Sequence, residues 1–373
     1  MKKLICIILA LGLFVGVVAC QNDMPTPSEP TAAPVEPSTP DDTTQTTTEP
    51  EETPASGGRI AVIRNMTNSD HTAQFFAGCI EEGEALGYTV DTFMSDGDDI
   101  RMQDLMEQAL LQDYDIWIVS HANEGYQYDL ISRAVAQGVY VTGFDCGGDP
   151  VPGVTYTSQD DASLASISLD AMIEKAVAEG AETPVKFIAV NILGLIVPFD
   201  NRQAVIEEYV AQGKMELLDI VNLDPGGDFY SETHTAISSA LARYSQGEIN
   251  GVWTATTFFL DGIVDAVQEA GRSEIVLTGV DISDTEIQRL VEVPELYAIA
   301  AVDPFVIGVV NVRLAVAKVL GLPTPDTFLF PAVGITGDVL SAGDTMATLS
   351  KYFDDFGSTE MMLLPELEAI RNG

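Results

Sequence analysis

Polar side chains recur at one kind of place in this chain, immediately after a short apolar run. Ser120-His121 follow Ile116-Trp117-Ile118-Val119, Asp145 follows the run beginning at Val139, and Thr256-Thr257 follow Val252-Trp253. Asp281 follows Ile275 to Gly279, Asp303 follows Ile299 to Val302, and Asp200-Asn201-Arg202 precede an amphipathic stretch. Near the start, Ile60-Ala61-Val62-Ile63 opens into Arg64 and the polar loop Asn65-Met66-Thr67-Asn68-Ser69-Asp70-His71. Any one of these residues reads equally well as a helix cap or a turn former. Their recurrence in both halves of the chain asks for more. Carboxylates accept from hydroxyls while Arg and Asn donate in fixed geometry, so such groups gathered around one cleft suit a hydroxyl-rich ligand. Phe144, Trp253, Phe258 and Phe259 flank the same positions. Each ring is available either for stacking on a ligand or for core packing, and Trp253 is expected in the core. His71 and His121, two of the three histidines, fall in loops expected to face one another. They suit hydrogen bonds to a ligand better than a metal ion, because no further ligating residues lie near them in sequence.

These positions require rigid elements behind them. Ile60 to Ile63 reads as a strand buried on both faces of a parallel sheet, followed by a helix from Ala73 to Leu86 and a strand from Thr89 to Phe93. Gly87 supplies the left-handed residue that closes the helix. The pattern continues with a helix near Ile100 to Leu111, the Ile116 strand, a helix near Tyr126 to Gln137 and a strand from Val139 to Gly143. Gly153 to Gln159 reads as an extended link. Beyond it the alternation restarts, with helices at 160–180, 201–212, 233–245 and 258–270 and strands at 185–190, 217–221, 251–254 and 275–279. Ala298 to Val302 then leads through Asp303-Pro304 into a helix from Phe305 to Leu320. Strict alternation implies parallel βαβ units with right-handed crossovers, and two consecutive sets imply two α/β lobes with a cleft between them. In open sheets of this kind the ligand lies beyond the carboxyl ends of the strands, where the polar residues cluster.

The N-terminal residues are of a different kind. Met1-Lys2-Lys3 and the apolar run Leu4 to Ala19 form an export signal too short to span a membrane. Val17-Val18-Ala19-Cys20 has the form of a lipobox, which makes Cys20 the expected lipidation site and the new N-terminus. Gln21 to Gly58 is rich in Pro, Thr, Glu and Ser without Lys, Arg or an aromatic residue, so it reads as a disordered tether. The net charge is -40, from 57 Asp and Glu against 17 Lys and Arg. A surface that acidic repels a phosphate backbone and excludes nucleic acid as the main partner. Arg202 is the basic residue read as close to the cleft. Of four cysteines, Cys6 leaves with the signal and Cys20 is the anchor, so Cys79 and Cys146 remain and are read as free thiols rather than a disulfide. No nucleophile elbow, P-loop, HExxH or dinucleotide fingerprint appears, so neither an enzyme nor a cofactor is expected. Asp96-Gly97-Asp98-Asp99 lacks calcium-loop spacing and reads as a solvated turn, and Asp160-Asp161 as a helix N-terminus.

The chain resembles the type I periplasmic binding proteins of sugar ABC transporters, especially the ribose and simple-sugar group. The likeness spans Arg59 to about Gly337. It is carried by Gly83-Glu84-Ala85-Leu86-Gly87-Tyr88, by Tyr114 to Ser120, by Gly138 to Asp145, by Leu277-Thr278-Gly279-Val280-Asp281, and by Val302-Asp303-Pro304 with Ile307-Gly308. The resemblance implies two Rossmann-like lobes with parallel sheets joined by a multi-strand hinge. It implies a signal at 1–19, a tether at 20–58, and a first lobe of 59–156 plus about 304–327. The second lobe is then 157–303 plus about 328–350, with a tail at 351–373. By position it implies ligand contacts at Asn65, Ser69, His71, Thr72, Ser120, His121 and Asp145 in the first lobe. In the second it implies Asp200, Asn201, Arg202, Thr256 and Asp281, with Asp303 beside the hinge. The chain departs from the ribose pattern: His71 and Thr72 replace two stacking phenylalanines, Cys146 replaces an arginine, and Asp200 replaces a second-lobe arginine. At Asp200 it is similar to binding proteins for furanosyl quorum signals. The implied role is a lipid-anchored, extracytoplasmic binding protein that delivers a sugar or polyol to the permease and ATPase of an importer. A sensor subunit of the same fold is the alternative.

Overall fold

The computed structural model describes residues 57–357 and 360–373. The expected signal, Cys20 and nearly all of the tether lie outside the described residues. In the first lobe β1 (Arg59–Arg64), α1 (Asp70–Ala85), β2 (Thr89–Met94), α2 (Asp99–Ala109), β3 (Ile116–Ser120), α3 (Glu124–Ala136) and β4 (Tyr140–Phe144) alternate as expected. β5 (Thr155–Gln159) follows, where the sequence suggested only an extended link. The second lobe runs α4 (Asp161–Ala178), β6 (Val185–Asn191), α5 (Val197–Ala211), β7 (Met215–Asn222), α6 (Phe229–Arg243) and β8 (Gly251–Thr254). A 3-10 turn at Thr257–Phe259, α7 (Leu260–Glu269), β9 (Val276–Val280), α8 (Asp284–Glu292) and β10 (Leu296–Ala301) complete it. The chain then returns through α9 (Pro304–Val319), β11 (Thr327–Phe330), β12 (Val333–Thr336) and α10 (Pro365–Arg371).

The strands form two six-stranded sheets, ordered β2-β1-β3-β4-β5-β11 and β7-β6-β8-β9-β10-β12. All pairings are parallel except that of β12 with β10. The chain changes sheet after Gln159, after Ala301 and after Phe330. The expected boundary at 156/157 falls inside β5, and the expected return at about 327 falls at the start of β11. Both strands belong to the first sheet because the register pairs Thr327 with Tyr156 and Phe330 with Gln159. In each sheet the strand order reverses beside the first strand, β1 against β3 and β6 against β8, which opens a crevice at their carboxyl ends.

Local chemistry sets these elements. Ile60 to Ile63 are fully buried, as the apolar run demanded. Ser69 caps α1 by accepting from Thr72 N at 3.1 Å. α9 begins with the Asp303 cap and Pro304 and is buried along nearly its whole length, because it lies between the first sheet and α1. The two helices meet at Gly78 and Gly308, where a Cβ on either would overlap a backbone carbonyl of the other, Phe305 O or Phe75 O. Glu82 on α1 and Arg313 on α9 form a buried ion pair at 2.9 Å. Arg313 also donates to Met361 O at 2.6 Å, and Asp303 accepts from Gly357 N at 2.8 Å. The C-terminal residues are thus tied to the first lobe beside the hinge.

Candidate functional site

Three strand tips end in the same backbone device. His121, Asp145 and Asp281 each donate their amide to a carbonyl of the neighbouring strand, Phe144 O at 2.8 Å, Thr157 O at 3.0 Å and Ala300 O at 3.0 Å. Each then turns left-handed, with φ of 59°, 49° and 75°. A non-glycine residue there carries strain of roughly 1 kcal/mol or more, and such strain gathers at functional sites. The three tips belong to β3, β4 and β9, so the device occurs in both lobes.

Between the lobes lies a cavity of about 280 Å³. Arg64, Met66, Ser69, Asp70, His71 and His121 form its first-lobe wall, and Gln159 lies at the crossover between lobes. Ile196, Pro198, Phe199, Arg202 and Thr256 to Phe258 come from the second lobe, with Asp261, Asp281 to Ser283, Thr285, Glu286 and Arg289. Of the residues expected at a ligand, Ser69, His71, His121, Arg202, Thr256 and Asp281 line this space. Thr72, Ser120 and Asp145 lie one layer behind it. Thr72 Oγ1 accepts from Arg64 Nε at 3.2 Å and Ser120 Oγ accepts from Arg64 Nη1 at 2.8 Å. The buried carboxylate of Asp145 lies 3.8 Å from His121 Nε2.

Four expected contacts point elsewhere. Asn65 turns behind the wall to donate to Asp99 at 2.8 Å and to pair with Ser95. Asp303 caps α9 and holds Gly357 N. Asp200 and Asn201 do not precede a helix; α5 begins at Val197, because Pro198 suits the first helical turn. Two helical steps turn the chain by roughly 200°. Arg202 therefore faces the cavity while Asp200 faces solvent, where it accepts from Gly194 N at 2.9 Å. Asn201 supports Arg202 indirectly by donating to Asp161 at 3.1 Å. Among the aromatics, Phe258 lines the cavity, whereas Phe144, Trp253 and Phe259 are buried in the core. Trp253 donates to Ser168 Oγ at 2.8 Å.

Arg64 is a cavity residue that the strand-end pattern does not single out. It ends β1, is 1% exposed, and stacks its guanidinium 4.6 Å from the Phe75 ring centroid. A lone charge closing an apolar strand was the available signal. Burial pulls its pKa down to about 10, against the attraction of Asp145. Its third contact is His71 Nδ1 at 3.0 Å. Arginine only donates, so His71 Nδ1 accepts and the ring is neutral, with its proton on Nε2. Burial first, and Arg64 second, push the His71 pKa down to about 4. The same causes hold His121 well below its ordinary range. The two histidines do not face one another across the cleft; both sit in the first lobe and are joined through Arg64 and Ser120, whose Oγ lies 2.8 Å from His121 Nδ1.

In the second lobe Arg202 is clamped instead. Its Nε donates to Asp161 at 2.9 Å, Nη1 donates to Ala255 O at 2.6 Å, and Asp281 lies 3.6 Å away. Burial opposes its charge, but Asp281 and Asp161 outweigh that and hold the pKa above its usual value. Asp161, read from sequence only as a helix start, is thus the inner partner of a site arginine. Two buried acceptors remain without a donor, Asp145 Oδ2 and Gln159 Oε1. Burial, and then the negative charge of Asp161, push the Asp145 carboxyl well above the usual range. Cys79 and Cys146 are both free thiols.

Residues 60–323 match the model of the periplasmic binding protein domain. The chain belongs to this family. Its fold is similar to that of a sugar ABC transporter protein from Yersinia enterocolitica subsp. enterocolitica 8081, at 34% identity over 84% of this chain and 94% of that one, with a TM-score of 0.76. It is also similar to the 5-methylthioribose transporter solute-binding protein of Thermotoga lettingae TMO, solved with 5-methylthioribose, at 24% identity, 84% and 98% coverage and a TM-score of 0.74. A carbohydrate transporter binding protein of Agrobacterium radiobacter, solved with D-arabinose, shares the fold at 16% identity, 86% and 100% coverage and a TM-score of 0.67. No curated protein matches the chain significantly. As in any periplasmic binding protein, the two lobes and their crossovers are the working parts, and here the cavity opens at both topological switch points.

Proposed function

We propose that this protein is the solute-binding component of an ABC importer, held at the outer face of the membrane through Cys20. In this reading it takes a simple sugar or related polyhydroxylated molecule into the cleft. One observation carries the choice of ligand. The cavity wall holds groups of both kinds: a buried guanidinium, Arg64, with no carboxylate partner among the described residues, and a buried acceptor, Gln159 Oε1, with no donor. A buried polar group left unpaired costs about 1–3 kcal/mol. An anionic ligand would serve Arg64 and leave Gln159 Oε1 without a donor, and an ammonium would do the reverse. A hydroxyl donates and accepts at once, so a neutral polyol can serve both. The sugar-bound relatives support the same reading. Closure by hinge motion over the three crossovers would trap the ligand, and no bond need be made or broken.

The test is a thermal-shift and calorimetry panel of neutral pentoses, hexoses and polyols beside amino acids and sugar acids. A true ligand at 100-fold excess over its Kd should add about 2.7 kcal/mol of stability. Stabilisation by an amino acid or an anion, and by no neutral carbohydrate, would overturn the reading.

A further inference from the structure

The cavity is lopsided in chemistry. Its first-lobe wall is polar, with Met66 as the only apolar side chain and no Phe, Tyr or Trp ring. The second lobe supplies five apolar side chains beside nine polar ones: Ile196, Pro198 and Phe199 at the start of α5, Phe258 in the 3-10 turn and Ile282 after β9. Pro198, Phe199 and Ile282 are buried, and Ile196 and Phe258 are not. Phe258 is 43% exposed although it borders the cavity, and no aromatic partner among the described residues covers it. A bare sugar carries hydroxyls around its ring, and the uncovered Ile196 and Phe258 side chains offer those hydroxyls no hydrogen-bond partner. Apolar surface facing a cavity is stabilised by an apolar occupant. Arg64, which has no carboxylate partner among the described residues, and Gln159, whose Oε1 has no donor, lie on the first-lobe wall and at the crossover, so the ligand's hydroxyls are drawn to that side.

We propose that the natural ligand is a sugar bearing a neutral apolar substituent, its hydroxyls on the Arg64 side and its substituent against Ile196, Phe199 and Phe258. This rests on the sugar reading and narrows it to deoxy, alkyl or alkylthio sugars. The substituent replaces water on the second-lobe wall, and free sugars lacking it leave that wall wet.

The experiment is calorimetric titration of the mature protein with matched pairs, ribose beside 5-deoxyribose and 5-methylthioribose, and galactose beside its 6-deoxy form. In at least one pair the substituted sugar should bind at least about tenfold more tightly, the difference expected from burying about two carbon-sized groups. Phe258→Ala and Ile196→Thr, on different loops, should each reduce that ratio by several-fold. Each ratio is internal to one variant, so a general loss of affinity leaves it readable. If the unsubstituted sugars bind as tightly or more tightly, the inference fails and the sugar reading survives. A preference that both variants leave intact places the substituent elsewhere and also overturns it. If no sugar of either kind binds, both readings fall together.

Discussion

The two lobes each bring one buried arginine to the cleft, and they treat it in opposite ways. Arg202 is neutralised within its own lobe, between Asp161 and Asp281, and gives a further proton to Ala255 O. Arg64 is held by a hydroxyl, a hydroxyl and a neutral imidazole, with a phenylalanine ring beneath it. Each arginine follows the first strand of its lobe, Arg64 at the end of β1 and Arg202 in the helix after β6. The difference lies in what each still needs. Arg202 is complete without a ligand and braces the second lobe, whereas Arg64 retains its charge at a cost that an occupant would offset. In the proposed reading, one arginine braces the architecture and the other meets the ligand.

The strongest way to break this contrast is to remove each charge in turn. Arg202→Ala leaves Asp161 and Asp281 facing each other without their cation, and removing one partner of a buried pair costs about 3–5 kcal/mol. Chemical denaturation should show a loss of that size. Arg64→Met keeps the volume over Phe75 and strands only hydroxyls and an imidazole. Its stability should change by less than about 1.5 kcal/mol, while affinity for the ligand falls by about 100-fold, or about 2.7 kcal/mol. Equal stability losses in the two variants would erase the distinction drawn between them.

The next test is pH. His71 is neutral in the folded chain with its pKa near 4, below the ordinary value of 6.5. Between those values the unfolded chain binds more protons than the folded one, so stability rises with pH through that window and falls as the solution is acidified from 6.5 towards 4. One such group contributes at most about 1.4 kcal/mol per pH unit. His121 acts in the same direction, while Asp145, with its pKa raised, acts in the opposite one. His71→Asn retains a side-chain acceptor for Arg64 and should flatten the acid limb of a stability–pH curve. An unchanged slope would mean that the ring is not held neutral in the folded chain.

The difference between the lobes also explains what could be read from sequence. Alternating apolar runs and amphipathic stretches gave both sheets nearly strand by strand, since buried parallel strands leave a continuous signal. They did not give β11, β12 or α8, which are only four, four and nine residues long and partly exposed, so each leaves too short a pattern to mark it. Ser69, His71, His121, Arg202, Thr256 and Asp281 were legible as polar residues beyond strand ends. Asp200 falls outside the cavity because the helix begins at Val197, four residues before the start expected at 201, and helical rotation separates it from Arg202. Arg64 escaped notice because it counted as the start of a loop. Its pairing with Met94 of β2 and Ser120 of β3 makes it the last residue of a strand. The cleft was visible in outline, and its centre was not.

The smallest expected effect concerns how the two lobes meet. Gly147, in the loop after β4, faces Val197 at the start of α5; a Cβ there would sit 3.3 Å from Val197 Cγ2 and 3.3 Å from Glu124 N. Such a Cβ would crowd the second lobe, and the Glu124 amide on the other side belongs to a helix start that yields little. Gly147→Val should therefore disfavour closure and also press on the start of α3 within its own lobe. Apparent affinity scales with the fraction of molecules able to close, so the Kd should rise by about three- to tenfold, beside a stability loss of about 1 kcal/mol. Gly125, in the first turn of α3, has open space around its Cα, and Gly125→Ala is the matched control. It should stabilise the fold by up to about 1 kcal/mol and leave the Kd alone. If Gly147→Val binds as tightly as the parent, the contact with Val197 is incidental to closure, and the two walls would have to be brought together by the hinge strands alone.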